Sequence, residues 1–336
     1  MSRDEEKGKN AGEGRRPESP TANRLRRGAG RHAARGNASF DGSANARPVT
    51  ADPLSLQAGK LRGDAALRCG SLPDGPWPLI GGNAQQTDVD QLMRDNLLPP
   101  NKYRPGFTPM VVNTGKALIL FDTGNGERGF VSRPQGGWLA AQLAPAGLRP
   151  DQIDMVVLSH GHPDHIGGLF EGGKPLFPAA QYAIGDVEYD FWAGDKPAGG
   201  LEKFAELFRD YVVPLAGKTR FIKPNSAIVP GIRAVEAYGH TPGHLAFDIE
   251  SDGKRLFFWG DCAHHQVASL ARPDWHCVFD VDPTVGAETR GRIFDMVATD
   301  RLAVSGFHMP FPSIGYVERR RDGGYRWLPH SYQLDI

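Results

Sequence analysis

The segment Ser159-His160-Gly161-His162-Pro163-Asp164-His165-Ile166-Gly167-Gly168 places three imidazoles and a carboxylate within one short run. Directly before it lies Asp154–Leu158, an apolar-centred stretch of the kind that forms a strand buried on both faces. Ligand-type residues massed at the end of a buried strand constrain the chain to a layered α/β design, because such sheets place their sites at strand ends. In an extended segment His160, His162 and Asp164 would project to one side, with His165 reaching in from the next position. Imidazole and carboxylate at this density suit a borderline metal such as zinc. Gly161, Gly167 and Gly168 let the backbone turn closely around the ligands. The competing reading, a polar surface loop, sits badly beside a wholly apolar strand.

The surroundings alternate strands with helices. A helix is expected from Thr87, its cap, through Val89, Leu92, Met93, Leu97 and Leu98 to the stop at Pro99-Pro100. Pro109–Thr114 and Ala117–Phe121 flank Gly115-Lys116 as a hairpin, and Asp122-Thr123-Gly124 closes its second strand. Strands are expected at Gln181–Ile184, Ile232–Tyr238, Leu245–Ile249, Arg255–Trp259 and Leu302–Ser305. Helices are expected at Trp138–Ala144, Val187–Trp192, Leu201–Val212 and Thr284–Thr299. Mixed strands with interspersed helices imply a layered α/β architecture.

Three further segments carry candidate ligands. Gly239-His240-Thr241-Pro242-Gly243-His244 offers two histidines, of which a metal needs only one. Asp261 ends the apolar stretch Leu256–Trp259, where a carboxylate is costly unless a cation neutralises it; the bland alternative is a turn former. His308 alone would more often be a satisfied core residue, but Gly306 and Met309-Pro310-Phe311-Pro312 around it favour a ligand.

Taken together these segments resemble the metallo-β-lactamase superfamily, over about residues 100–336. The resemblance rests on Asp122-Thr123-Gly124, the His160–His165 run, the Gly239–His244 turn, Gly260-Asp261 and Gly306-Phe307-His308. The segment His308-Met309-Pro310-Phe311-Pro312 is similar to the subgroup of methyl parathion hydrolase and quorum-quenching lactonases. The resemblance implies an αββα sandwich with two divalent metals. Zinc is the expected metal, with manganese, iron or cobalt as alternatives. His160, His162 and His244 would hold the first ion, and Asp164, His165 and His308 the second, with Asp261 bridging both. Asp122 and His240 are then expected beside the ligands, orienting them.

The implied reaction is hydrolysis by a metal-bridging hydroxide that attacks a lactone or ester carbonyl, with organophosphate triesters as a side activity. Asp164 and Asp261 are the expected catalytic carboxylates. Phe191, Trp192, His264, Phe307 and Phe311 are expected to line the substrate pocket. Glyoxalase-II-like thioester hydrolysis, persulfide oxidation and nucleic-acid processing are the rival chemistries of the same ligand run, and a non-catalytic binding module is the rival from another class. A small-molecule substrate is expected rather than nucleic acid or membrane. Relatives are often homodimers, which leaves that state open here.

Composition enters mainly at the N-terminus. The chain of 336 residues has 39 basic and 39 acidic side chains, but residues 1–50 carry 11 and 6 of them. With Met1, Leu25, Phe40 and Val49 as their only apolar side chains beyond alanine, residues 1–50 are expected to form a disordered basic tail. Residues 51–86 read as a poorly defined lead-in, and 87–336 as the hydrolase domain. Only Leu72-Pro73-Asp74-Gly75 is similar to the turn that usually opens the family fold, so a misassigned start or a frame slip before about residue 75 is expected. Three cysteines, no long apolar run and no apolar signal region make a cytoplasmic address the expectation.

Overall fold

The computed structural model describes residues 75–131, 133–134, 136–194 and 200–331. The tail at 1–50 and most of the lead-in, with the expected early start, lie outside these residues. The chain opens with helix α1 (Gln86–Asp95). Strands β1 (Met110–Asn113) and β2 (Leu118–Phe121) follow, then α2 (Leu139–Leu143), β3 (Met155–Val157) and α3 (Pro163–Ile166). A small hairpin, β4 (Phe170–Glu171) and β5 (Lys174–Pro175), precedes β6 (Gln181–Gly185), α4 (Asp186–Ala193), α5 (Glu202–Tyr211) and β7 (Thr219–Ile222). The second half runs β8 (Ala227–Val229), β9 (Ile232–Glu236), β10 (Leu245–Ser251), β11 (Lys254–Phe258) and α6 (Ala268–Ala271). It ends with α7 (Pro283–Thr299), β12 (Ala303–Ser305), β13 (Ile314–Arg319) and β14 (Tyr325–Pro329).

Two sheets stack face to face. The first has the order β1-β2-β3-β6-β7 and is parallel from β2 onward; the second has the order β14-β13-β12-β11-β10-β9-β8 and is antiparallel except between β11 and β12. The period of two along each strand assigns side chains to layers. Ile119, Phe121, Val157 and Ala183 meet Ala234, Phe247, Ile249 and Phe258 between the sheets, with the Phe121 and Phe247 rings 5.2 Å apart. The alternate residues Leu118, Leu120, Val156 and Tyr182 face outward onto Trp192, Ala205 and Phe208 of α4 and α5. Ala246, Phe257 and Val304 pack beneath Ile293, Phe294 and Val297 of α7. Each large side chain so buried contributes about 1.5–3 kcal/mol. The result is the αββα sandwich.

Two local expectations need correction. Helix α1 stops at Asp95, so Leu97 and Leu98 lie beyond it, and Thr87 sits inside rather than at its cap. Leu97 takes the left-handed position (φ 58°) of a Schellman ending, with Leu98 N–H on Met93 O at 2.9 Å and Leu97 N–H on Arg94 O at 3.0 Å. That ending leaves the Leu97 side chain 94% exposed. The metal-type run is also extended only as far as His162. Pro163 then starts α3, so Asp164 and His165 sit on a helical turn.

The described part of the lead-in is tied down. Ile80 bridges Cys277, and Ile80, Val89 and Met93 form a buried cluster with Ala268 and Trp275.

Candidate metal centre

Strand β3 delivers Ser159, His160 and His162 to the edge of the sandwich, and β11 delivers Asp261 from the opposite sheet. His240 comes from the turn between β9 and β10, and His308 from the turn after β12. These side chains are all buried. His160 Nε2 lies 3.1 Å from His240 Nε2, and His240 Nε2 lies 3.3 Å from Asp261 Oδ2. The His162 ring stands 4.7 Å from that of His160 and 4.6 Å from that of His240. On the other side, His165 Nε2 is 3.1 Å from Asp261 Oδ1 and 3.6 Å from Asp164 Oδ2. His308 Nε2 is 2.9 Å from Asp261 Oδ2 and 3.5 Å from Asp164 Oδ2.

Among the described residues three groups have metal-ligand spacing: His240 with His264 and Asp280, and two that share a carboxylate. Of these two, one is His160, His162, His240 and Asp261; the other is Asp164, His165, Asp261 and His308. Asp261 belongs to both. His162 Nε2, Asp164 Oδ1, His165 Nε2 and Asp261 Oδ1 are buried without a hydrogen-bond partner. Buried polar atoms left open cost about 1–3 kcal/mol each, so four of them within these two groups fit a site built for cations.

Here the structure departs from the expectation that His244 would be the ligand and His240 its support. His244 is satisfied elsewhere: its Nδ1 lies 2.9 Å from Ala237 O, and its Nε2 accepts the Asp261 backbone N–H at 3.2 Å. Burial pushes the His244 imidazole down to about 3, so it stays a neutral acceptor. The turn at Pro242-Gly243 points His240 inward instead.

Hydrogen bonds fix the inward imidazoles from behind. Asp122, at φ 56°, accepts from Ser159 N–H and Ser159 Oγ and lies 2.7 Å from His165 Nδ1. Asp280 Oδ1 lies 2.9 Å from His240 Nδ1, and Gly106 O 2.8 Å from His308 Nδ1. Such partners select the ring tautomer and leave Nε2 to face the centre. Burial lowers His160 and His162 well below the ordinary histidine range, which keeps them neutral. Burial pushes His240 the same way, but the carboxylates of Asp261 and Asp280 outweigh it and lift His240 to about 9.

A narrow cleft opens over these groups, walled by Tyr103, Pro105, Phe107, Phe130, Phe279 and His264. Of the five pocket residues expected, only His264 lines it. Both its ring nitrogens are buried without a hydrogen-bond partner, and Nε2 is 3.4 Å from Asp261 Oδ2. Trp192 and Phe307 are fully buried in the core, Trp192 against Phe208 and Phe307 against the His165 ring. Phe191 packs beside Trp192, and Phe311 is 54% exposed outside the cleft walls. The aromatic walls come from loops, where no periodicity marks them; their one signal in the sequence is aromatic side chains in Pro- and Gly-rich connections.

Residues 108–289 match the family described as the metallo-beta-lactamase superfamily. An atrochrysone carboxyl ACP thioesterase of Passalora fulva is 26% identical over 164 residues, which cover 48% of this chain and 40% of that protein. Among solved structures, the hydrolase AbOPH of the beta lactamase superfamily superposes with a TM-score of 0.72. It is 26% identical, over 78% of this chain and 91% of that one. AidC, a dizinc quorum-quenching lactonase solved with a product, gives 0.72 at 24% identity over 78% and 92%.

Proposed function

The chain belongs to the metallo-beta-lactamase superfamily, and from that premise we propose that it is a dinuclear metal-dependent hydrolase of neutral lactones or aryl esters. The observation that carries this reading is the pair of ligand groups sharing Asp261 at the floor of an aromatic cleft. His160, His162, His240 and Asp261 would hold one divalent ion, and Asp164, His165, Asp261 and His308 the other; zinc suits both sets. When bound, the ions supply Lewis acidity and a water acidified toward neutral pH.

The chain's own residues do the rest. Asp122, Asp280 and Gly106 O hold three imidazoles in register. Asp164 Oδ1, buried and unpartnered, is placed to pass a proton to the leaving group. His264 offers a ring nitrogen to a substrate oxygen. Tyr103, Phe107, Phe130 and Phe279 take the apolar part and keep bulk water away. Among the described residues no lysine or arginine lines the cleft, which argues against phosphodiesters and nucleotides as substrates. No described helix is long and apolar enough to cross a membrane.

Thioester hydrolysis is the second reading, favoured by the similarity to the thioesterase of Passalora fulva. A panel of an acylated lactone, an aryl acetate, a phosphotriester, an acyl thioester and a dinucleotide, assayed with the zinc-loaded protein, tests the choice. Highest kcat/KM on the lactone or aryl ester is expected. A preference for the dinucleotide would refute it, and a preference for the thioester would replace it with the second reading.

A further inference from the structure

Glu188 lies on the first turns of α4, outside every ligand group above, and is completely buried. Its carboxylate is engaged on all sides by donors, none of them a cation. Oε1 accepts the Gly161 backbone N–H at 2.8 Å and the Trp192 indole N–H at 2.6 Å. Oε2 accepts the Thr241 hydroxyl at 2.7 Å and the Gly243 backbone N–H at 3.0 Å. Gly161 stands between His160 and His162; Thr241 follows His240 directly. One side chain therefore grips both loops that carry the three histidines of the first group.

The contact is close as well as polar. A Cβ on Gly161 would fall 2.5 Å from the Trp192 ring, and one on Gly243 would fall 2.2 Å from Glu188 N. Both loops can approach α4 this nearly only because they are bare at those positions. A buried carboxylate without a counter-charge is costly, and is kept only where several donors hold it. No apolar side chain of that volume could span the same two loops and satisfy their amides.

We propose that Glu188 is a positioning residue that sets the spacing of the His160–His162 and His240 loops and thereby the metal affinity of the group they form. The proposal rests on the dinuclear reading above. It assigns Glu188 no contact with substrate or metal.

The test is the pair of stepwise zinc affinities of the full chain, measured by competition with a chelating chromophore, together with thermal melting. Glu188→Gln keeps the volume but turns an amide NH2 toward two of the four donors. It is expected to weaken one zinc affinity about 10–100-fold and leave the other nearly unchanged. Thr241→Val, which removes only one link to the His240 loop, should weaken the same affinity in the same direction. Glu188→Gln with wild-type affinities and only a lower melting temperature would overturn the proposal. Should that variant not fold, unchanged affinities in Thr241→Val overturn it equally. A wild-type chain that binds no zinc would sink the proposed function and this inference together, whereas two zinc ions bound with the same affinities in the wild type and in Glu188→Gln sink the inference alone.

Discussion

His240 Nδ1 lies 2.9 Å from Asp280 Oδ1, and the other oxygen of Asp280 accepts from Arg290 Nη2 at 2.9 Å. Arg290 in turn donates to the carbonyls of Cys262, Pro273 and Trp275, so the ring is anchored through a fixed ion pair. Burial pushes the Asp280 carboxyl up, but the hydrogen bond to His240 and the charge of Arg290 outweigh it and hold it down to about 2. An unfolded aspartate titrates near ~3.9. The depressed folded value therefore stabilises the fold above about pH 4, and that contribution is lost as pH falls toward 2. Asp280→Asn should melt below the wild type at pH 7, with the gap closing between about pH 4 and 2. A gap that does not change with pH would contradict this.

The two histidines of the Gly239–His244 turn should behave differently. His240→Ala is expected to cost one of two bound zinc ions. His244→Ala should keep both and lose about 1–3 kcal/mol of stability, because the Asp261 amide and Ala237 carbonyl lose their partner. Metal analysis and denaturant melts on both variants decide it; equal zinc loss would mean that the inward placement of His240 does not govern binding.

The cleft walls predict a KM effect. Phe279→Ala should raise KM for an aryl ester several-fold while kcat and zinc content stay near wild type, since it removes binding rather than chemistry. Phe191→Ala, outside the cleft, should leave KM unchanged. Steady-state kinetics showing the reverse order would place the substrate elsewhere.

Cys262 and Cys277 are both buried, and burial raises both thiols well above the ordinary range. Reactivity follows the thiolate, so neither should be alkylated in the native protein at pH 8, and both should be alkylated in denaturant. Peptide mapping after iodoacetamide treatment reads this directly. Rapid native labelling of either would show that this part of the fold opens.

What could be read beforehand follows the range of the interactions. The His160–His165 ligands were legible because they crowd the end of a strand apolar on both faces, and the layered α/β design because strands and helices alternate; the αββα order came only with the family resemblance. The choice between His240 and His244 was not. They sit four residues apart, and which ring turns inward depends on Asp280, forty residues on, and on Glu188 in another layer. Trp192 was misplaced because α4 turns that ring onto Phe208 rather than over the cleft. β13 and β14 went unread, since their charged outer residues mask a short alternation, although Asp322-Gly323-Gly324 between them marks the turn.

Native mass spectrometry of the full chain after zinc loading and removal of excess metal tests the dinuclear centre most directly. Two zinc ions per chain are predicted for the wild type, with both sites weakened in Asp261→Ala because that carboxylate serves the two groups. A wild-type chain that retains no zinc, or an Asp261→Ala variant that retains two as tightly as the wild type, would contradict it.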